Sequence, residues 1–267
     1  MTGEDDRNTL EVQLGMKIDI NCDMGEGFGI WKMGRDEEVM PHITSANIAC
    51  GFHAGDPHVM RKTVRLARDH GVAVGAHTGY PDRLGFGRRF IETSRQELKD
   101  YLTYQIGALE AFLKQEGMGL QHVKPHGALY TVAVNDADLS EGIVESIQEY
   151  NPDLLLYAMP GSLTYQAAEK GGLRVVAEGF VDLEYLPNGS LALERAKKAW
   201  EPEEVASRFL RLVKDGKMST TTGETININV DSVCVHGDSP NAPEILAAIN
   251  EAMKREGIER VAITTLV

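Results

Sequence analysis

The sequence predicts an α/β fold whose parallel strands close into a TIM-like β/α barrel, and three observations carry that prediction. Short apolar runs alternate with longer segments of helical periodicity about seven times along the 267 residues, as parallel strands joined by crossover helices do. No polar linker or shift in composition divides residues 16–267, so they read as one barrel domain. Acids and histidines gather just after the apolar runs, where a parallel β/α fold places its chemistry. Seven or eight uninterrupted units favour a closed sheet over an open one.

Taken in order, the lead MTGEDDRNTLEVQLG (1–15) is acidic and has no apolar stretch, so it reads as a flexible extension rather than a signal peptide. The isoleucine-rich MKIDINCD (16–23) and ITSANIAC (43–50) read as strands. Residues 59–71 repeat apolar positions at helical spacing and stop at Gly71, and VAVGAH (72–77) follows as a buried strand. The longest helix is expected over 95–117, with Leu98, Leu102, Ile106, Leu109 and Leu113 along one face and Gly117 as its stop. LQHVKPHG (120–127) is the next strand, residues 136–150 are helical, and LLLYAMPG (154–161) is a strand that breaks at Pro160-Gly161. A short helix over 162–172 leads to the strand LRVVAEGF (173–180). The stretch 184–200 is the least regular and reads as an inserted loop. Pro202 sits in the first turn of a helix over 201–216 that ends in glycine. A strand over 230–238, a helix over 241–257 and a last strand in ERVAITTLV complete the chain.

Hydrophobic residues at 42% and charged residues at 25% suffice for a large core without disulfide support. A net charge of −13 repels nucleic acid and anionic membranes, so neither is an expected partner. The three cysteines, Cys22, Cys50 and Cys234, form no CxxC pair and are odd in number, which points to free thiols in a reducing, cytoplasmic setting. No apolar run is long enough to span a bilayer. Self-association is left open.

The strand ends supply the candidate site. Asp23 closes the first strand and Glu26 follows between two glycines. After the second strand comes His53, and after the third His77 and then Asp82. The fourth ends in Lys124-Pro125-His126, the sixth near Glu178 and Asp182, and the late strand in His236 and Asp238. Four of the eight histidines thus sit at strand ends, while His42, His58, His70 and His122 read as ordinary surface residues. Lys124 is the sharpest signal: a lone buried ammonium costs several kcal/mol, so it requires an acidic partner or a substrate, and His126 shares its face of the strand. Arg88-Arg89, between glycines and phenylalanines, reads as an anion-gripping loop. Two schemes suit this set. In one, carboxylate and imidazole ligands hold a divalent metal that activates water, with Asp23, His77 and His126 as the best three ligands. In the other, carboxylates and imidazoles do acid–base work while Lys124 stabilises negative charge, with no metal. No P-loop, HExxH or GxSxG motif is present.

The segments DINCDMGEGFG, TSANIACGFHAGDP, VGAHTGYPDRLGFGRR, YQIGAL, HVKPHGALY and CVHGD, in that order, closely resemble the LamB/YcsF family. The resemblance implies an irregular seven-stranded (β/α)7 barrel of the glycoside hydrolase/deacetylase type. It also implies a role as the A component of an ATP-dependent 5-oxoprolinase, which opens 5-oxo-L-proline to L-glutamate together with subunits B and C. On that reading Asp23, Glu26, His53, Lys124, His126, His236 and Asp238 are the catalytic candidates, and Asn47, Arg89, Glu178 and Asp182 contact substrate. ATP is then used with the partner subunits, and Asp23, His77 and His126 match the metal ligands of the deacetylase relatives. The alternatives are a metal-dependent amidohydrolase or carbohydrate deacetylase and a non-catalytic binding subunit. Two positions depart from the family pattern: Thr78 stands where proline is usual, and Leu183 in EGFVDLEY replaces an arginine. Arg195 is a further candidate match to a family arginine.

Overall fold

The computed structural model describes residues 15–192 and 197–267; the expected extension, but for Gly15, and Arg195 lie outside them. Strand β1 (Lys17–Met24) is followed by a one-turn helix α1 (Asp36–Val39) and β2 (Ser45–Ala49). Helix α2 (Pro57–His70), β3 (Ala73–Thr78), α3 (Arg95–Gln115) and β4 (Leu120–Pro125) come next. Helices α4 (Gly127–Ala133) and α5 (Ala137–Tyr150) lead to β5 (Leu155–Ala158), and α6 (Leu163–Gly171) leads to β6 (Val175–Phe180). After α7 (Pro202–Asp215), an antiparallel hairpin of β7 (Lys217–Ser219) and β8 (Thr225–Asn227) precedes β9 (Ser232–Cys234), α8 (Ala242–Glu256) and β10 (Glu259–Arg260). Six strands run parallel in the order β1 to β6, and β9 pairs with both β6 and β1, which closes a seven-stranded barrel.

Local chemistry sets these elements. Asp56 caps α2 by accepting from the backbone N–H groups of His58 and Val59. Ser94 and Glu97 form a reciprocal capping box at α3. Gly71, Gly172, Gly216 and Gly257 end their helices in the left-handed region, which costs glycine nothing. The α3 stripe Leu98, Leu102, Ile106, Leu109 and Leu113 is wholly buried in the core.

Strand alternation decides what fills the barrel. Ile18, Ile20, Cys22 and Met24 join the apolar core, while Asp19, Asn21 and Asp23 hydrogen-bond one another's neighbours inside the barrel. The interior is therefore layered and polar. In its lowest layer Asp19 accepts from Thr44, Ser45, Tyr157 and Ser232. In the next, Asn47 donates to Asn21 and to Asp23, and its carbonyl oxygen lies 2.7 Å from His122 Nε2. His122 is thus an interior residue rather than the surface one expected; it shares the inward parity of Lys124, two residues on.

Three further differences concern local elements. The last strand shrinks to two residues paired with β1, followed by a 3-10 turn at Ile263–Thr265. The β7–β8 hairpin was not expected, because strands of three residues carry too little alternation to register. The irregular stretch after β6 bridges Tyr185 to Leu191 and to Thr220, and its residues wall the barrel mouth.

Gly75 on β3 leaves room for the His122 ring: a Cβ there would lie 2.0 Å from His122 Cδ2. Gly75→Ala is expected to cost roughly 1–3 kcal/mol by overpacking in chemical denaturation. Gly119→Ala, where nothing lies within 4 Å of the added carbon, should be close to neutral.

Candidate active site

The carboxyl ends of β1, β4 and β6 meet at a buried ammonium. Lys124 Nζ lies 3.0 Å from Asp23 Oδ1 and 2.8 Å from Glu178 Oε1. It also reaches Asn21 Oδ1 at 3.2 Å and Cys234 Sγ at 3.1 Å. Burial works against the ammonium, but Asp23, Cys234 and Glu178 outweigh it and hold Lys124 well above its ordinary range. Burial likewise opposes charge on Asp23, yet His77 and Lys124 hold its carboxyl well below the usual carboxylate range.

Beside this pair lies a cluster of three imidazoles and one carboxyl. His53 Nε2 is 3.3 Å from Glu26 Oε1, His126 Nδ1 is 3.7 Å from it, and His77 Nε2 is 4.0 Å from it. His126 Nδ1 and His77 Nε2 are 2.9 Å apart, and the His53 and His126 rings stack at 3.7 Å. All four residues are buried. Burial, with Asp23 and Asp238 close by, pushes the Glu26 carboxyl well above its usual range. Burial pushes His53 and His126 well below theirs, and neighbouring imidazoles add to it. Burial and neighbouring charges thus move two carboxyls a few residues apart in opposite directions, Asp23 down and Glu26 up.

The third part is a rim of opposed charges. His236 Nδ1 donates to Asp182 Oδ1 at 2.9 Å, and the His236 backbone N–H donates to Asp182 Oδ2 at 3.0 Å. This leaves His236 Nε2 without that proton and 3.8 Å from Asp23 Oδ2. Lys197 sits between Asp182 and Asp238, at 3.3 and 3.5 Å. Arg88 reaches Asp238 at 2.6 Å. Burial disfavours charge on Asp182, but His236 and Lys197 prevail and hold it below the carboxylate range. These groups surround a pit of about 50 Å³ lined by Asp23, His77, Lys124, His126 and His236, with Phe180 and Leu183 as its apolar wall.

Five strand-end candidates, Asp23, His77, Lys124, His126 and His236, therefore meet around one pit, while Glu26, His53, Asp182 and Asp238 stand behind them as their partners. Asn47 and Glu178 lie inside the barrel, where they hold Asp23 and Lys124 rather than line the opening. Arg89 turns outward: its side chain is 60% exposed and pairs with Asp82, while Arg88 next to it lines the pit. Asp56 serves as a helix cap. Lys197 and Tyr130, which also line the pit, were not anticipated; Lys197 lies in the irregular stretch and Tyr130 reads as a helix residue. Among the described residues two groups of possible ligand atoms lie close together: Glu26, His53, His77 and His126, and Asp23, Cys234 and His236. Asp23, one of the three expected ligands, lies 3.4 Å from His77 Nε2 but is paired with Lys124.

The profile of the LamB/YcsF family matches residues 18–267. The A component of 5-oxoprolinase from Thermococcus sibiricus is 49% identical over 254 residues, which is 94% of this chain and 100% of the relative. The crystal structure of a lactam utilization protein from Thermus thermophilus superposes with a TM-score of 0.86 at 45% identity, covering 92% of this chain and 100% of that one. A family 4 carbohydrate esterase from Streptomyces lividans shares the fold alone, with a TM-score of 0.50 at 12% identity over 94% of this chain and 95% of that one.

Two outcomes test the electrostatics. Lys124→Met strands two buried carboxylates and is expected to cost about 3–5 kcal/mol in denaturant unfolding, and adding Glu178→Gln should recover part of that loss. Asp182 titrates below its unfolded value of about 3.9, so its contribution is present above that pH and lost as pH falls below it. The wild-type thermal midpoint should therefore drop as pH is lowered from about 4 to 2, and Asp182→Asn should flatten that limb.

Proposed function

As the chain belongs to the LamB/YcsF family, we propose that it forms the lactam-opening part of an ATP-dependent 5-oxoprolinase and works with partner subunits B and C on 5-oxo-L-proline. The observation that carries this reading is the one pit in which the His236 imidazole, the Asp23 carboxylate and two basic groups, Arg88 and Lys197, face one another. The names borne by close relatives, a component of 5-oxoprolinase and a lactam utilization protein, point to the same substrate class.

A five-membered lactam is a resonance-stabilised amide with little ring strain, so water alone attacks it slowly. In the proposed sequence the lactam oxygen attacks the γ-phosphorus of ATP. ADP leaves and the ring nitrogen gives up its proton, which yields an O-phosphorylated cyclic imidate. A water adds to the activated carbon, and the C–N bond breaks as the nitrogen takes a proton. The resulting acyl phosphate is cleaved by a second water to glutamate and phosphate. The sum is one lactam, one ATP and two waters giving glutamate, ADP and phosphate.

His236 suits the water-activating step. Asp182 holds its Nδ1–H, so its Nε2 lone pair is the free one. Arg88 and Lys197 offer positive charge for the substrate carboxylate or the transferred phosphate once their acidic partners yield. Lys124 and Asp23 set the field at the floor of the pit. Leu183 leaves an apolar wall where the family pattern has arginine, so anion binding in this chain falls to Arg88 and Lys197. With no nucleotide loop in the sequence, ATP use is assigned to the assembled complex.

The test measures glutamate and ADP formed from 5-oxoproline and ATP by the chain with and without its partner subunits. Turnover should require the partners, and His236→Asn should lower kcat by about 10²–10⁴-fold with little change in KM. Full turnover by the chain alone would overturn the division of labour, and an unaffected His236→Asn complex would overturn the assigned base.

A further inference from the structure

We propose that the loops after β1 and β3 form the surface on which the nucleotide-bearing partner subunit docks, beside the mouth of the pit. This rests on the partner requirement proposed above and gives it a place on the barrel. Four large apolar side chains stand in water on this side: Ile30 is 88% exposed, Trp31 68%, Leu84 97% and Tyr104 64%. Contacts join them into one patch. Trp31 stacks on Phe28 with ring centres 6.1 Å apart, and the Arg83 guanidinium lies 3.8 Å from the Phe28 ring centre. Arg83 also donates to the Gly51 and Gly55 carbonyls, which ties in the loop after β2, where Phe52 packs on Tyr104 at 5.3 Å. Leu84 follows Arg83 directly. A contiguous exposed patch rich in aromatic rings is the kind of surface that a protein partner covers.

Charge says which surface fits it. Residues 27–34 and 79–90 carry Lys32, Arg83, Arg88 and Arg89 against Asp82 alone, a net of +3 in a chain of net −13. An apolar centre with a basic margin matches a partner face that is apolar at its centre and acidic at its edge. Two copies of this chain meeting through the patch would instead bring its cations together. The β3–α3 loop also has two faces. Its inner face belongs to the site: His126 Nε2 donates to the Phe86 carbonyl at 2.7 Å, and Arg88 lines the pit. Its outer face presents Leu84. Between them Phe86 holds a backbone φ of 54°, unfavourable for phenylalanine, so neighbouring contacts fix the turn. Across the mouth, Leu183 and Leu191 of this chain already wall the pit. The side of β1 to β3 is therefore where a partner can sit, against the segment that carries Arg88 and facing the opening that must receive the phosphoryl group.

The experiment measures assembly of the full chain with purified partner subunits by sedimentation, and glutamate formation as the partners are titrated. Leu84→Asp and Trp31→Asp should each weaken assembly by roughly 30-fold or more and raise the partner concentration needed for half-maximal turnover by the same factor. Leu84→Asp, at a fully solvated position, should keep the thermal midpoint of the free chain. Added salt should weaken wild-type assembly. Lys114→Glu, in the last turn of α3 at the opposite end of the barrel, should assemble as the wild type does. His236→Asn should assemble normally while turning over slowly, which separates docking from chemistry. Assembly of both aspartate variants at wild-type strength would overturn the surface and leave the lactam reading intact. Assembly that both variants lose, with no glutamate formed by the wild-type complex, would uphold the surface and overturn the lactam reading. Self-association of the chain alone, lost in the same variants, would overturn the partner in favour of a second copy. No assembly of the wild-type chain would overturn the surface together with the partner requirement.

Discussion

One buried ammonium organises the inside of this barrel. Lys124 arrives on β4 with 2% of its surface exposed, and it meets Asp23 from β1 and Glu178 from β6. An unpaired charge there would cost several kcal/mol, so the three strands have to bring their acids and base into register for the barrel to close. The layers below follow the same rule, since each inward polar side chain finds a partner on another strand. Asp19 is wrapped by four hydroxyl groups, and Asn47 links Asn21, Asp23 and His122. A polar interior of this kind gives little hydrophobic stabilisation. The apolar core lies between the outer faces of the strands and the helices, as the buried stripe of α3 shows.

The same ammonium sets the chemistry at the mouth. With His77 it keeps Asp23 ionised, while Glu26, a turn away and nearer the imidazoles, is pushed toward its neutral form. Burial leaves His53 and His126 as neutral nitrogens rather than cations. The floor of the pit thus holds a fixed negative charge, a fixed positive charge and several lone pairs in little water, where electrostatic effects are strongest. The rim differs: Arg88, Lys197, Asp182, Asp238 and His236 are linked in pairs that an anionic ligand would have to rearrange. The floor is buried and fully paired while the rim's ion pairs stand at the opening, and that division suits a site which must hold an anion and release it.

Much of this is legible in the residues. Periodicity locates the strands and helices, because a half-buried helix and a buried strand leave different spacings. The cost of burying Lys124 demands acidic partners before any are seen, and the strand-end rule draws Asp23, His77, His126 and His236 toward one rim. What sequence does not resolve is orientation. Arg88 and Arg89 are adjacent in a loop with no fixed alternation, and only the fold shows that Arg88 faces the pit while Arg89 turns to Asp82. His122 reads as a surface residue by type, although its parity with Lys124 places it inside. Lys197 lies in an irregular segment with no periodicity to read, and β7 and β8 are too short to leave one. Glu178 lies near the end of the strand read over 173–180, but two residues before Phe180 its side chain sits one layer down, inside the barrel against Lys124.

The most direct measurement is a crystal structure of the chain with 5-oxo-L-proline bound. The lactam is expected in the pit, with its carbonyl carbon facing His236 Nε2 and its carboxylate drawn to Arg88 or Lys197. A ligand seated elsewhere on the barrel, with the pit left to water, would contradict the assignment of the pit as the lactam site.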